Sequence, residues 1–212
     1  LDLATKSLLH HLKTNIIPPM PELISSITVE KFRAFYLRTK ERTSSSPSGL
    51  HLGHWKAAAT SQELSTILVT ILNLSILNSH SLDRWSFVLG LLQEKKAGLP
   101  YIHRFRTLHI VESDLNLIMR LIWGKELMKW AESHSAINNN QYGGRKGIQA
   151  QSVALNKTLT MDIMRYYAEP ASIIDNDAQA CYDRITIVLL SYSLLRLGMP
   201  IHLVRFMLNW LR

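Results

Sequence analysis

The stretch from Ser172 to Ile185 constrains this chain more than any other. The β-branched pair Ile173-Ile174 lies between Pro170 and a polar cluster, and a short apolar run bounded in this way reads as a buried strand. The strand leads into Asp175, Asn176 and Asp177. A small-residue turn, Ala178-Gln179-Ala180-Cys181, then presents Tyr182 and Asp183. A carboxylate at the end of a buried strand is held rigidly at an exposed edge. That placement suits a hard divalent cation, which takes oxygen ligands and keeps several waters for a phosphate partner. The same residues also read more plainly, as a strand followed by a helix start that Asp183 caps.

At 212 residues the chain makes one large domain or two small ones and can bury a real core. Hydrophobic content of 47% with 19% charged residues excludes a disordered tail. A net charge of +8 and a pI near 9.7 favour a polyanionic partner, either nucleic acid or an anionic membrane surface. Cys181 is the only cysteine, which excludes an internal disulfide and a cysteine-based zinc site. The histidine pairs His10-His11 and His51/His54 lack a carboxylate or cysteine at ligand spacing, which argues against metal there. No apolar run approaches membrane-spanning length, and no signal peptide is visible, so no membrane partner is expected. The chain opens on Leu1 and stops at Arg212 inside an amphipathic pattern; both ends read as cut from something longer.

Helical spacing dominates. Leu3, Leu8, Leu9 and Leu12 form a first row, ended before Ile16-Ile17-Pro18-Pro19. Thr28 caps a second helix from Val29 to about Lys40, with Phe32, Phe35 and Tyr36 on one face. Thr60-Ser61-Gln62-Glu63 reads as a capping box for a long helix that buries Leu64, Ile67, Leu68, Ile71, Leu72 and Leu74. Asp114 to Trp130 is a helix with Leu115, Ile118, Met119, Leu121, Ile122 and Leu127 inward. Further helices run from about Gln149 to Tyr166, from Thr186 to Leu197, and from Ile201 onward. Gly198-Met199-Pro200 stops the second of these.

Three segments break that rhythm. Arg42 to Trp55 is a Ser/Gly/Pro loop with a basic lead-in. Trp85 to Leu92 and Arg104 to Ile110 read as two antiparallel strands joined by a basic tip, Glu94-Lys95-Lys96-Ala97-Gly98-Leu99-Pro100. Asn138 to Gly147 is a glycine-rich loop whose backbone can approach a partner closely, while Arg145 and Lys146 neutralise phosphates.

In their order these pieces resemble the reverse transcriptases of the non-LTR retrotransposon and group II intron branch. Asp177, four residues, Tyr182, Asp183 is similar to the family's first palm motif. The resemblance implies that Asp177 is the catalytic, metal-binding aspartate and that the carbonyl of Ala178 is a second ligand. It makes Tyr182 the ring that crowds the sugar 2′ position of the incoming nucleotide. The hairpin resembles the fingers hairpin, with Arg106 and one of Lys95 or Lys96 reaching the triphosphate; a fork-shaped donor and a point charge suit that task. Ser46-Pro47-Ser48-Gly49 stands where the family has a Pro-Gly loop. Gln141-Tyr142-Gly143-Gly144-Arg145-Lys146-Gly147 stands at the fingers–palm signature, with Gly144 where phenylalanine is usual, and implies nucleic-acid contacts by Gln141, Arg145 and Lys146.

The resemblance implies an α+β fold: helix-rich fingers with an antiparallel β-hairpin, and the beginning of a right-hand polymerase palm. Residues 1–41 would be an N-terminal helical extension, 42–168 a fingers-like region, and 169–212 the start of the palm. The implied activity is nucleotidyl transfer: an RNA-directed DNA polymerase adding deoxynucleoside triphosphates to a DNA primer on an RNA template, with Mg2+ in a two-metal site. The family's second carboxylate pair, on a later hairpin, does not occur before Arg212, so these residues alone are expected to be inactive. The alternatives are a non-catalytic nucleic-acid-binding remnant of a retroelement and a purely structural helical domain.

Overall fold

The computed structural model describes residues 2–42, 46–95, 98, 101–102, 105–170, 172 and 185–211. The strand expected at Ile173-Ile174 lies outside them. Helix α1 (Leu3–Thr14) begins at Asp2, whose carboxylate accepts from the Thr5 N–H at 2.8 Å. Of its apolar row only Leu12 is buried. After the short α2 (Glu22–Ser25), α3 (Val29–Arg38) starts as its sequence predicts: the Thr28 hydroxyl accepts from the Lys31 N–H at 3.2 Å. Phe32 and Tyr36 point inward, and the Tyr36 ring stacks on Trp55 with centroids 5.5 Å apart.

Trp55 belongs to α4 (Leu52–Thr60), which histidines cap. His51 Nδ1 accepts from the Gly53 N–H, and His54 Nδ1 accepts from the His51 N–H at 3.0 Å. The two rings thus satisfy orphan donors of a helix start. The next helix, α5 (Gln62–Leu77), corrects the sequence reading twice. Its cap is Ser61, not Thr60, which closes α4. Its buried row is Ser65, Val69, Leu72, Ser75 and Ile76, whereas Leu64, Ile67, Ile71 and Leu74 face outward. The helix is apolar nearly all round, so periodicity cannot choose a face. Small size and hydrogen bonding do: Ser65 Oγ lies close enough to α4 to donate to the Ala58 and Ser61 carbonyls. The side chain of Arg33 closes the same joint, donating to the Ala59 carbonyl and to Gln62. Asn73 copies a peptide, accepting from the Ile27 N–H and donating to the Ile27 carbonyl.

A further correction falls at Trp85. It opens no strand but sits in a 3-10 turn (Asp83–Ser86) and is fully buried. The strands are β1 (Leu89–Glu94) and β2 (Phe105–Ile110), antiparallel, pairing Leu89 with Ile110 through Glu94 with Phe105. The helix from Ser113 to Ser133 is inward-facing as expected, with Leu115, Ile118, Ile122 and Leu127 buried. Its winding is not uniform: α6 (Ser113–Ile118) passes into a π-helical segment (Met119–Leu127) and then α7 (Met128–Ser133). Beyond lie α8 (Ala150–Tyr166), α9 (Ile187–Arg196) and α10 (Ile201–Trp210). No residue of α8 is buried.

The stop at Gly198 is built from close approach as well as dihedral. Gly198, at φ +78°, donates to the Leu195 carbonyl, and Met199 donates to the Leu194 carbonyl, the paired bonds of a left-handed helix cap. A Cβ here would lie 2.5 Å from the Pro18 carbonyl, which also receives the Trp130 indole N–H. Glycine is therefore required twice over. Residues of α3, α4, α5, α6 and α10 meet in one core, where Phe206 packs edge-on to Trp85 and stacks on Trp123. Among the described residues the fold is helix-rich with one small antiparallel sheet. Among the described residues no single helix is long and apolar enough to cross a membrane.

Candidate nucleic-acid interface

The hairpin projects from the helical base with both faces exposed along β1. Pleating puts Leu89, Leu91 and Gln93 on one face with their partners Ile110, Leu108 and Arg106. Arg106 therefore stands on a mainly apolar face, opposite the neutral Gln93. Among the described residues it has no ion-pair partner. Lys95 follows directly on β1 and is likewise exposed and unpaired. The neighbouring acid is otherwise occupied: the Glu94 carboxylate accepts from the Gly98 N–H at 3.0 Å across the tip. Lys96 lies outside the described residues.

At the foot of the hairpin is a buried ionic cluster that the sequence reading missed. Glu112 and Asp114 are fully buried beside Arg84, whose side chain is 30% exposed. Arg84 pairs with Asp114 and lies 3.8 Å from Glu112, with its guanidinium 5.7 Å from both the Trp55 and Trp85 rings. Asp114 also accepts from the Trp85 indole and the Leu115 N–H. Glu112 accepts from the Ser48 N–H and hydroxyl at 2.8 and 3.0 Å, which pins the 46–50 loop against the helix start. Burial pushes the Asp114 carboxyl above its ordinary range, against the pull of Arg84. Burial, with the Asp114 charge behind it, pushes the Tyr36 phenol up as well. In sequence Asp114 is only the first residue of a helical row and Glu112 lies just before it, a usual place for acids, so their burial left no local signal. Next to the cluster, under the hairpin base, is a cavity of about 1020 Å³ lined in part by Ser46, Ser86, His109 and Ser113.

The 138–147 loop is organised by one of its own candidate residues. Arg145 Nε and Nη2 make a two-pronged pair with Glu132, both at 2.7 Å, and Nη1 donates to the Asn138 and Gln141 carbonyls at 3.2 Å. The pairing pushes the Glu132 carboxyl down and the Arg145 guanidinium up. With Nε, Nη1 and Nη2 all engaged, Arg145 acts here as the clamp that shapes the loop. Gln141, though exposed, also bonds within the loop, its side-chain amide donating to the Gly143 carbonyl. Lys146 is exposed and, among the described residues, has no ion-pair partner. Gly144 and Gly147 sit at φ +77° and +81°, which glycine adopts without strain. Asn156 of α8 donates to the Tyr142 hydroxyl, joining loop to helix.

Two sets of sequence-named residues are thus in view, Lys95 with Arg106 and Gln141 with Arg145 and Lys146. Among the described residues no hydrogen bond or ion pair joins one set to the other. Asp177, Ala178 and Tyr182 lie outside the described residues. Among the described residues no three His, Cys, Asp or Glu side chains gather as a metal site. Neither a protein-family model nor a curated protein matches the chain.

Proposed function

We propose that this chain forms the fingers and the first part of the palm of an RNA-directed DNA polymerase. The observation that carries the reading is the hairpin: a projecting antiparallel ribbon with Arg106, unpaired among the described residues, on one strand and Lys95 at its tip, standing on a helical base. A triphosphate calls for such a fork and point charge, free of carboxylate partners. Lys146 on the second loop offers a phosphate contact to a template or primer, with Arg145 and Gln141 holding that loop in shape. In this reading Asp177 and the Ala178 carbonyl would hold Mg2+, which would neutralise charge on the transferred phosphoryl group. Tyr182 would select deoxyribose by crowding the 2′ position.

The test is equilibrium binding of dTTP to the 212-residue chain. Arg106→Gln is expected to weaken binding by roughly tenfold or more, the loss of one charge-assisted fork. Unchanged dTTP affinity would remove the hairpin from the reading. In a chain that also carries the second carboxylate pair, Asp177→Asn should abolish primer extension while leaving RNA binding intact. Normal extension by Asp177→Asn would misplace the catalytic aspartate.

A further inference from the structure

A second basic surface shares no lining residue with the hairpin tip or the 138–147 loop. It is a groove of about 760 Å³ between α3 and the π-helical segment, lined by Lys31, Arg38, Lys40, Arg120 and Lys125 and, among the described residues, by one carboxylate, Glu30. Lys31 is held 3.5 Å from Glu126. Arg38, Lys40, Arg120 and Lys125 are exposed and, among the described residues, have no ion-pair partner. On α3, Lys31 and Arg38 are seven residues apart and share a face.

The opposite wall depends on the unusual winding. Arg120 and Lys125 are five residues apart, which on an α-helix would turn them about 140° from each other. In the π-helical stretch Met119–Leu127 the turn is wider, about 4.4 residues, and brings the two within roughly 50°. The segment thus places both cations along one wall. The groove also continues: Phe35, Thr39 and Arg120 line it and the larger cavity under the hairpin base alike. A cationic trough with a half-buried aromatic in its floor fits a charged, flexible strand that carries stacking rings. A flat bilayer would not reach that floor.

We propose that this groove binds the phosphodiester backbone of a single-stranded nucleic acid, with Arg38, Arg120 and Lys125 contacting phosphates and Phe35 offering a stacking surface. The assignment goes beyond the polymerase reading and uses none of its residues, so either can fail alone. The test is fluorescence anisotropy of a labelled single-stranded RNA of mixed sequence bound to the 212-residue chain, across about 50–200 mM salt. Arg38→Gln/Arg120→Gln/Lys125→Gln should make the log–log salt dependence shallower by about 2, near 0.7 for each lost phosphate contact, and weaken binding tenfold or more. Arg38→Lys/Arg120→Lys keeps the charges and should keep the slope. Lys125→Glu alone, at an exposed position, decides the matter should the triple variant not fold: its affinity must fall. Unchanged slope and affinity in the folded triple variant or in Lys125→Glu would overturn the assignment. So would loss of binding to phosphatidylserine vesicles with RNA binding unmoved.

Discussion

The helical base and the hairpin are built from comparably apolar sequence and come to rest in opposite surroundings. In the base, Phe32, Trp85, Leu117 and Phe206 are fully buried. In the hairpin, Leu89, Leu91, Leu92 and Leu108 are 42–60% exposed, and α8 buries none of its residues. The base helices that meet in the core each bury one apolar face, even where, as in α5, another apolar face stays outside, and polar ties such as Asn73 and Arg84 fix which face is covered. The ribbon has chiefly its own partner strand. Two strands alone are marginally stable in water, so the base must supply most of the cooperative unfolding energy, and the projecting parts open more easily. What the projecting parts keep in exchange is access: Lys95, Arg106 and Lys146 are all exposed.

The sharpest way to break that contrast is to truncate one apolar side chain in each region. Phe206→Ala deletes contacts with Trp85 and Trp123 in the core and should lower the free energy of unfolding in urea by about 3–5 kcal/mol. Leu92→Ala, in the exposed ribbon, should stay within about 0.5 kcal/mol. A comparable loss at Leu92 would mean that the hairpin belongs to the cooperative core.

The buried cluster offers the next largest effect. Arg84→Met leaves Asp114 and Glu112 buried without their cation, and should cost about 3 kcal/mol, the low end for a broken buried pair because Arg84 is itself 30% exposed. The wild-type pH dependence should carry the signature of Asp114. Its folded carboxyl lies above the ordinary value of 3.8, so the folded state binds the proton more readily than the unfolded state. The contribution is then most favourable below 3.8 and is lost as pH rises through the raised value, the reverse of an ordinary salt-bridged aspartate. Asp114→Asn should flatten that part of the stability profile. A profile unchanged by Asp114→Asn would show that Arg84 compensates the burial in full.

Which parts were legible in the sequence follows from the range of the forces involved. The Thr28 cap, the inward row from Leu115 to Leu127 and the cap bonds around Gly198 are set by residues a few positions apart, and local pattern found all three, though not the approach of Pro18 to Gly198. The antiparallel pairing of the hairpin was equally local. The outward turn of Leu64, Ile67 and Ile71 was not, because Ser65 and Arg33 decide it through contacts with α4 and α3. The ties of Glu112 to Ser48 and of Asp114 to Arg84 join separate stretches of the chain, and sequence pattern reads such acids only by their immediate neighbours. For the candidate site the same holds in miniature. Residue type marked Arg145 as a phosphate ligand, and only the structure reveals that Nε, Nη1 and Nη2 each also hold a partner within the protein.

That engagement yields the smallest and most local prediction. Glu132 is held below its ordinary 4.5 by Arg145, so the pair contributes fully above 4.5 and is lost as pH falls through the lowered value. Its sign is opposite to that of Asp114, and its reach should be too. Protonating Glu132 frees the Nε and Nη2 donors, and the Asn138 and Gln141 carbonyls are then held by Nη1 alone. Hydrogen-exchange protection should therefore drop across residues 138–147 in acid, with the first turns of α8 following through the Tyr142–Asn156 bond. Glu132→Gln should reproduce the open loop at neutral pH and remove the acid dependence. Arg145→Lys keeps a charge but not a fork, and should fall between the two. In both variants the urea midpoint of the whole chain should scarcely move, since the pair lies outside the core. A midpoint shift rivalling that of Phe206→Ala would place the loop inside the cooperative base and end the distinction between the two regions.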